Sequence, residues 1–146
     1  LILHLQLRIT SPYNCNILAV CYVLKIYLIN HLKIMTEELS NKKCIPCEGG
    51  IPAFDLDQIN NYLKKVDNWS AKEDEKSNYY LIKEFAFNDF VSSQNFVNKV
   101  GDIAESEGHH PDISFGWGYA KIKIYTHAIN GLAESDFILA SKVDKI

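Results

Sequence analysis

From Tyr119 to His127 the chain alternates without interruption. Ala120, Ile122, Ile124 and Thr126 fall on one side of an extended strand, and Tyr119, Lys121, Lys123, Tyr125 and His127 on the other. A strand of this kind can bury only one of its faces. It therefore demands an antiparallel sheet that is covered on one side and at least partly open on the other. Lys121 and Lys123 suit solvent on the open side, whereas Tyr119 and Tyr125 suggest a ligand or a partner sheet there.

The rest of the sequence supplies the cover. Asp55 can cap a helix whose apolar positions Ile59, Tyr62, Leu63 and Val66 recur at helical spacing. Trp69–Lys72 reads as a short strand, Glu73–Asn78 as a charged turn, and the β-rich run Tyr79–Phe87 as its hairpin partner. Asn88 or Asp89 caps the longest helix, with Phe90, Val91, Phe96, Val97, Val100, Ile103 and Ala104 as its apolar face. Gly101 weakens that helix by about 1 kcal/mol against Ala, and Gly108 is placed to stop it. Pro111 forces extended geometry on His110. Ile113–Trp117 is then a third strand, Tyr119–His127 a fourth, Asn130-Gly131 a turn, and Glu134–Val143 a final helix. The expected architecture is α+β: a four-stranded antiparallel sheet with about three helices packed on one face.

Residues 1–34 read differently. They contain no Asp or Glu, are rich in Leu and Ile, and stop just before Met35, the one methionine of the chain. The longest apolar run, Ile17–Leu24, is too short for a membrane span of about 20 residues before Lys25 interrupts it. Neither a small-residue cleavage site nor an Arg- and Ser-rich presequence pattern is present. The stretch is read as a non-native or disordered leader, upstream sequence translated in frame with Met35 as the true start. A peptide from residues 1–34 in terminal mass spectrometry of the native protein would rule that out. Residues 35–54 are then a polar and Gly/Pro-rich arm, and 55–146 the domain proper.

Charge narrows the function. Residues 35–146 hold twelve lysines against all eighteen carboxylates of the chain, a net charge of −6, and no arginine. A nucleic-acid groove needs a basic stripe, so that class is excluded. The bidentate clamp for phosphate or carboxylate is missing too. A mostly neutral small molecule fits better. Cys44 and Cys47 have the spacing of a redox pair or half a zinc site, but no second Cys pair follows and Gly49-Gly50-Ile51-Pro52 is loop chemistry. A structural role with free thiols is expected, and with it a cytoplasmic location.

Three of the five histidines, His109, His110 and His127, lie within nineteen residues. Imidazole both gives and takes protons near neutrality. The helix-to-strand corner at His109-His110 and the tip of the next strand at His127 can line one pocket. Glu105, Glu107, Asp112 and Asp136 are the carboxylates able to fix a tautomer. Three imidazoles and a carboxylate can also hold zinc, but adjacent histidines are awkward tetrahedral ligands for one ion. No metal is expected.

The segments Glu107-Gly108-His109-His110-Pro111-Asp112, Lys121-Ile122-Lys123-Ile124-Tyr125-Thr126-His127 and Gly131-Leu132 with Asp136 resemble those of pterin-4a-carbinolamine dehydratases. The likeness runs back through the long helix, the hairpin, Trp69 and the Cys44–Gly50 loop, and covers nearly all of 35–146. It implies a hydro-lyase that removes water from 4a-hydroxytetrahydrobiopterin to give quinonoid dihydropterin, without cofactor, in recycling the pterin of an aromatic amino-acid hydroxylase. It also implies His109 and His127 as the acid/base pair, His110 shaping the pocket or binding the pterin, and Glu105, Asp112, Asp136 and Trp69 as supporting or substrate-binding residues. Two positions depart from the pattern: Ser135 stands where some members have Arg, and Ala133 where Ser or Thr is common. The second removes a hydroxyl cap worth about 1 kcal/mol.

The rival reading is a non-catalytic dimerisation or interaction protein, or a paralogue tied to molybdopterin metabolism. Substituting His127→Ala separates them, because only dehydration should be lost. An exposed antiparallel edge further predicts a homodimer or dimer of dimers, which a monomer of about 13 kDa in size-exclusion chromatography (from ~115 Da per residue over 35–146) would contradict. Neither nucleic acid nor membrane is an expected partner.

Overall fold

A computed structural model describes residues 39–45 and 51–146. The leader and Cys47 lie outside the described residues. Helix α1 spans Leu56–Leu63, strand β1 Ser70–Glu73, β2 Tyr79–Ala86, helix α2 Phe90–Glu107, β3 Asp112–Gly116, β4 Tyr119–Ile124 and helix α3 Glu134–Val143. The strands form one antiparallel sheet in the order β1-β2-β4-β3. This is the α+β arrangement expected.

Local chemistry explains the boundaries. Asp55 accepts from the Gln58 N–H at 2.8 Å while the Gln58 side chain accepts from the Asp55 N–H at 3.0 Å, a reciprocal capping box on α1. Asp89, rather than Asn88, caps α2 by accepting from the Ser92 N–H at 2.7 Å. Gly108 closes that helix in the left-handed region at φ 63°, where a side chain would be strained.

The buried face of β4 is the one its alternation calls for, with Ala120, Ile122 and Ile124 at 0% exposure. Leu81 of β2 lies opposite Ile124, and Phe137 and Leu139 of α3 and Val100 of α2 join the same core. Each large apolar side chain so buried contributes about 1.5–3 kcal/mol. Phe137 also meets the rings of Tyr62 and Phe54, with centroids 5.1 and 6.1 Å away.

Two local expectations need correction. On α2 the buried stripe is Ser93, Phe96, Val100 and Ala104, while Phe90 and Val91 are exposed. Ser93 can be buried because its hydroxyl donates to the Asp89 carbonyl, which removes the penalty for an unpaired polar group. Phe90 instead lies against Phe115 at 5.5 Å. Lys83 sits on the covered side of β2, where it pairs with Asp144 at 2.7 Å. The second correction is that β4 ends at Ile124, and His127 opens a 3-10 turn, His127–Ile129, instead of finishing the strand. Thr126 and Gly131 bridge across that turn, and Gly131 has no room for a side chain: a Cβ there would lie 2.7 Å from the Ala53 methyl. No helix among the described residues is long and apolar enough to cross a membrane.

Candidate active site

The two adjacent histidines leave the end of α2 with a fixed direction. The His109 N–H reaches back to the Ala104 carbonyl at 3.1 Å and the Gly108 N–H to Glu105 at 3.2 Å, which closes the helix and turns the chain outward. From there the two rings diverge. His109 turns inward, with its side chain 14% exposed and Nε2 2.8 Å from Asp136 Oδ1. His110 turns outward, 64% exposed, with Nε2 3.0 Å from Glu105 Oε2.

Asp136 is wholly buried in the first turn of α3. Besides His109 it accepts from the Thr126 hydroxyl at 2.9 Å and the Ala133 N–H at 2.7 Å, both on Oδ2. The last of these offsets the missing hydroxyl cap. Ala133 has no side-chain acceptor, but Asp136 still satisfies one orphan N–H at the helix start, where a carboxylate is also favoured by the helix dipole. A carboxylate only accepts, so this contact with ionised Asp136 calls for the hydrogen on Nε2 of His109. Thr126 lies on the buried side of the chain just beyond β4, and the following residue is His127. The exposed ring of His127 lies against Tyr125, with centroids 4.2 Å apart at 40°.

Together these elements surround a cavity of about 440 Å³. Glu107 to His110 form one wall and Tyr125 to His127 a second, while Cys44 and Ile45 of the arm form the third. Glu107 holds the arm in place: its carboxylate accepts from the Cys44 N–H at 2.8 Å and from Lys142 Nζ at 2.6 Å. Burial opposes ionisation of Glu107, but these two donors outweigh it and keep the carboxyl below the usual glutamate range. Ser135 adds a second tie, donating its hydroxyl to the Ile45 carbonyl at 3.0 Å. The Cys44 thiol, 3.5 Å from the Ser135 carbonyl, is pushed up to about 12 by burial and by the neighbouring Glu107 charge. It is a packed thiol and not a nucleophile at neutral pH.

All three histidines singled out in the sequence thus line one cavity, and Asp136 reaches it through His109. Glu105 stands at the rim as the partner of His110. Asp112 and Trp69 are not brought in. Asp112 lies on the edge strand, 3.6 Å from Lys123 Nζ. The Trp69 indole donates to Asp144 at 2.9 Å and packs edge-on to Phe85, so packing accounts for it. Sequence reading counted Glu107 only as a nearby carboxylate. Its partners are Cys44 and Lys142, 63 and 35 residues away, and no local spacing announces such a link. Among the described residues no group of three or more His, Cys, Asp or Glu is arranged to hold a metal ion.

Residues 52–146 match the family model described as pterin 4 alpha carbinolamine dehydratase. The chain belongs to that family. A relative from Rubrobacter xylanophilus is 41% identical over 109 residues, which is 75% of this chain and 98% of the relative. One from Halorhodospira halophila is 45% identical over 108 residues, 74% of this chain and 96% of the relative. Both carry the name "Putative pterin-4-alpha-carbinolamine dehydratase". The crystal structure of a transcriptional coactivator/pterin dehydratase from Brucella melitensis shares the fold, with a TM-score of 0.57 and 24% identity over 64% of this chain and 96% of that one. As a member of the dehydratase family the chain has the fold that its strand and helix signals imply.

Proposed function

We propose that the histidine cavity dehydrates a 4a-hydroxytetrahydropterin to the quinonoid dihydropterin. The reaction breaks the C4a–oxygen bond and an N–H bond of the ring, and releases one water. The ring nitrogen pushes out the hydroxyl, which leaves readily once protonated, while a base takes the ring proton. His109 and His127 are the acid/base pair, and His110 at the rim shapes the opening or holds the pterin. No cofactor is required for this chemistry. One well-placed acid or base accelerates such a step about 10²–10⁴-fold. The observation that carries the reading is the placement of the three imidazoles on one cavity, with Nε2 of His109 tied to a fully buried carboxylate. In the cell the product, once reduced by two electrons to the tetrahydro level by a separate reductase, would again serve a pterin-dependent aromatic amino-acid hydroxylase.

The test is direct. Purified protein should speed the decay of 4a-hydroxytetrahydropterin absorbance, and His127→Ala should lower that rate at least a hundredfold, in line with the loss of one acid or base, without changing the oligomeric state. A wild-type protein that leaves the decay rate at its solvent value ends the proposal. The interaction-protein reading draws on a different region: Trp117 is 72% exposed beside the half-exposed Phe115 and Tyr119 at the β3–β4 turn. The edge of β3, unpaired among the described residues, supports a homodimer under either reading.

A further inference from the structure

The third wall of the histidine cavity, Cys44 and Ile45, lies outside any helix or strand. Two hydrogen bonds bracket the pair. The Cys44 N–H donates to Glu107 Oε2 at 2.8 Å, and the Ile45 carbonyl accepts from the Ser135 hydroxyl at 3.0 Å. Lys142 Nζ, 2.6 Å from Oε1, holds the other oxygen of the Glu107 carboxylate. That carboxylate is nearly buried and ion-paired, so it is a fixed acceptor and not a mobile surface group. Glu107 ends α2 two residues before His109 and itself lines the cavity. One residue thus connects the helix that delivers two of the histidines to the arm that completes the wall.

The same ties present Ile45 to the cavity. The Cys44 side chain is buried, whereas Ile45 is 70% exposed although it lines the cavity. Ile45 carries the one aliphatic hydrocarbon side chain among the described lining residues, the others being polar, aromatic, sulfur-bearing or glycine. A planar heterocycle has polar edges and apolar faces. The imidazoles can hydrogen-bond to its edges, but a face gains from leaving water only against an apolar surface. The Tyr125 ring already has His127 against it. Ile45 is the apolar lining residue with the largest share of its surface still to bury.

We propose that Ile45 covers one face of the bound substrate ring and that Glu107 is the positioning residue that holds it there. The inference rests on the dehydratase reading of the cavity. Glu107 acts through the arm: its carboxylate fixes the Cys44 N–H, and Ile45 follows one residue on. An untied arm would have to be ordered when substrate binds, and the backbone entropy lost then weakens binding. Glu107 and Ser135 order it beforehand. The contact forms with ground state and transition state alike, so it acts on KM and not on kcat.

Steady-state dehydration of a 4a-hydroxytetrahydropterin should be compared for Ile45→Ala, Glu107→Ala and the double variant. Each single variant should raise KM about five- to fifteenfold, the worth of one to two methylenes left in water, with kcat within about twofold of wild type. The double variant should be no worse than Ile45→Ala alone, because Glu107 then has nothing to position. Ser135→Ala cuts the other tie and leaves Lys142 paired. It should shift KM in the same direction, and it carries the test if Glu107→Ala fails to fold. An unchanged KM in Ile45→Ala, effects that multiply in the double variant, or a fall in kcat at constant KM in Glu107→Ala overturns the proposal. If wild type shows no turnover, the dehydratase reading has failed, and fluorescence quenching by oxidised pterin is compared for the same variants. The same pattern in Kd then sustains the ring-covering arm, and equal Kd values or no quenching by wild type refute it.

Discussion

Replacing Asp136 by Asn exchanges one oxygen for an amino group at the centre of the proposed site. Asp136 accepts three hydrogen bonds, two of them at Oδ2 from Thr126 and the Ala133 N–H and one at Oδ1 from His109. Asparagine has a single carbonyl oxygen. If that oxygen keeps Thr126 and Ala133, the new NH₂ lies where Oδ1 was, 2.8 Å from His109 Nε2. Two N–H groups then face each other unless the imidazole moves its hydrogen to Nδ1. The lost hydrogen bond to a charged group is worth about 1.5–3 kcal/mol, so the midpoint of urea unfolding should fall by a corresponding amount. The larger effect is on rate, because His109 would meet the substrate with the wrong nitrogen protonated. A kcat decrease of about 10²–10⁴-fold is expected, the range for one misplaced acid or base. Dehydration kinetics of the folded variant give the rate, and nitrogen-15 spectra of the imidazoles report the tautomer directly. A folded Asp136→Asn protein with the wild-type rate, or with hydrogen still on Nε2 of His109, would refute the reasoning.

Two further predictions concern the supports of the fold and the cavity wall. Asp144→Ala leaves the nearly buried Lys83 ammonium with the Asp67 carbonyl at 2.6 Å and the Asp67 carboxylate at 3.9 Å, and removes the acceptor of the Trp69 indole and of the Asp67 N–H, so it should cost about 3 kcal/mol, the low end for a broken buried pair, in denaturant unfolding. Lys83→Met leaves the other two donors on Asp144 and should cost less than half as much; the reverse order would contradict the assignment. Glu107 has its carboxyl held below the ordinary value of 4.5, so its stabilising contribution is complete above that pH and is lost as pH falls through the lowered folded value. Wild type should therefore exceed Glu107→Gln in stability at neutral pH and converge with it in acid, and a gap that persists undiminished in acid would exclude the ion pair with Lys142 as its source.

Much of the architecture is legible in short stretches of chain. The alternation of β4 predicts which side chains are buried, and Asp55, Asp89 and Gly108 mark helix ends through hydrogen bonds to residues within four positions of them. Failures occur where local rules leave two outcomes open. Phe90 and Val91 are apolar and lie in the first turn of α2, yet the core takes the stripe through Ser93 because a back-bonded hydroxyl is no obstacle to burial. No local spacing announces the pairing of Lys83 with Asp144, 61 residues away. Trp69 resembles a site residue by position in the chain, but the same Asp144 holds its indole in the scaffold.

The amino-acid sequence alone determined the sheet with one covered face, the helices that cover it, and the three histidines as proton-transfer candidates. Side-chain period and capping act over a few residues, and so they can be read without the fold. Tertiary structure decided which imidazole is buried against a carboxylate, which is left at the rim, and which part of the arm closes the cavity. Those outcomes depend on Asp136, Glu107 and Ser135 meeting partners tens of residues distant. Only packing of the whole domain sets which of these polar groups lose water and must find each other.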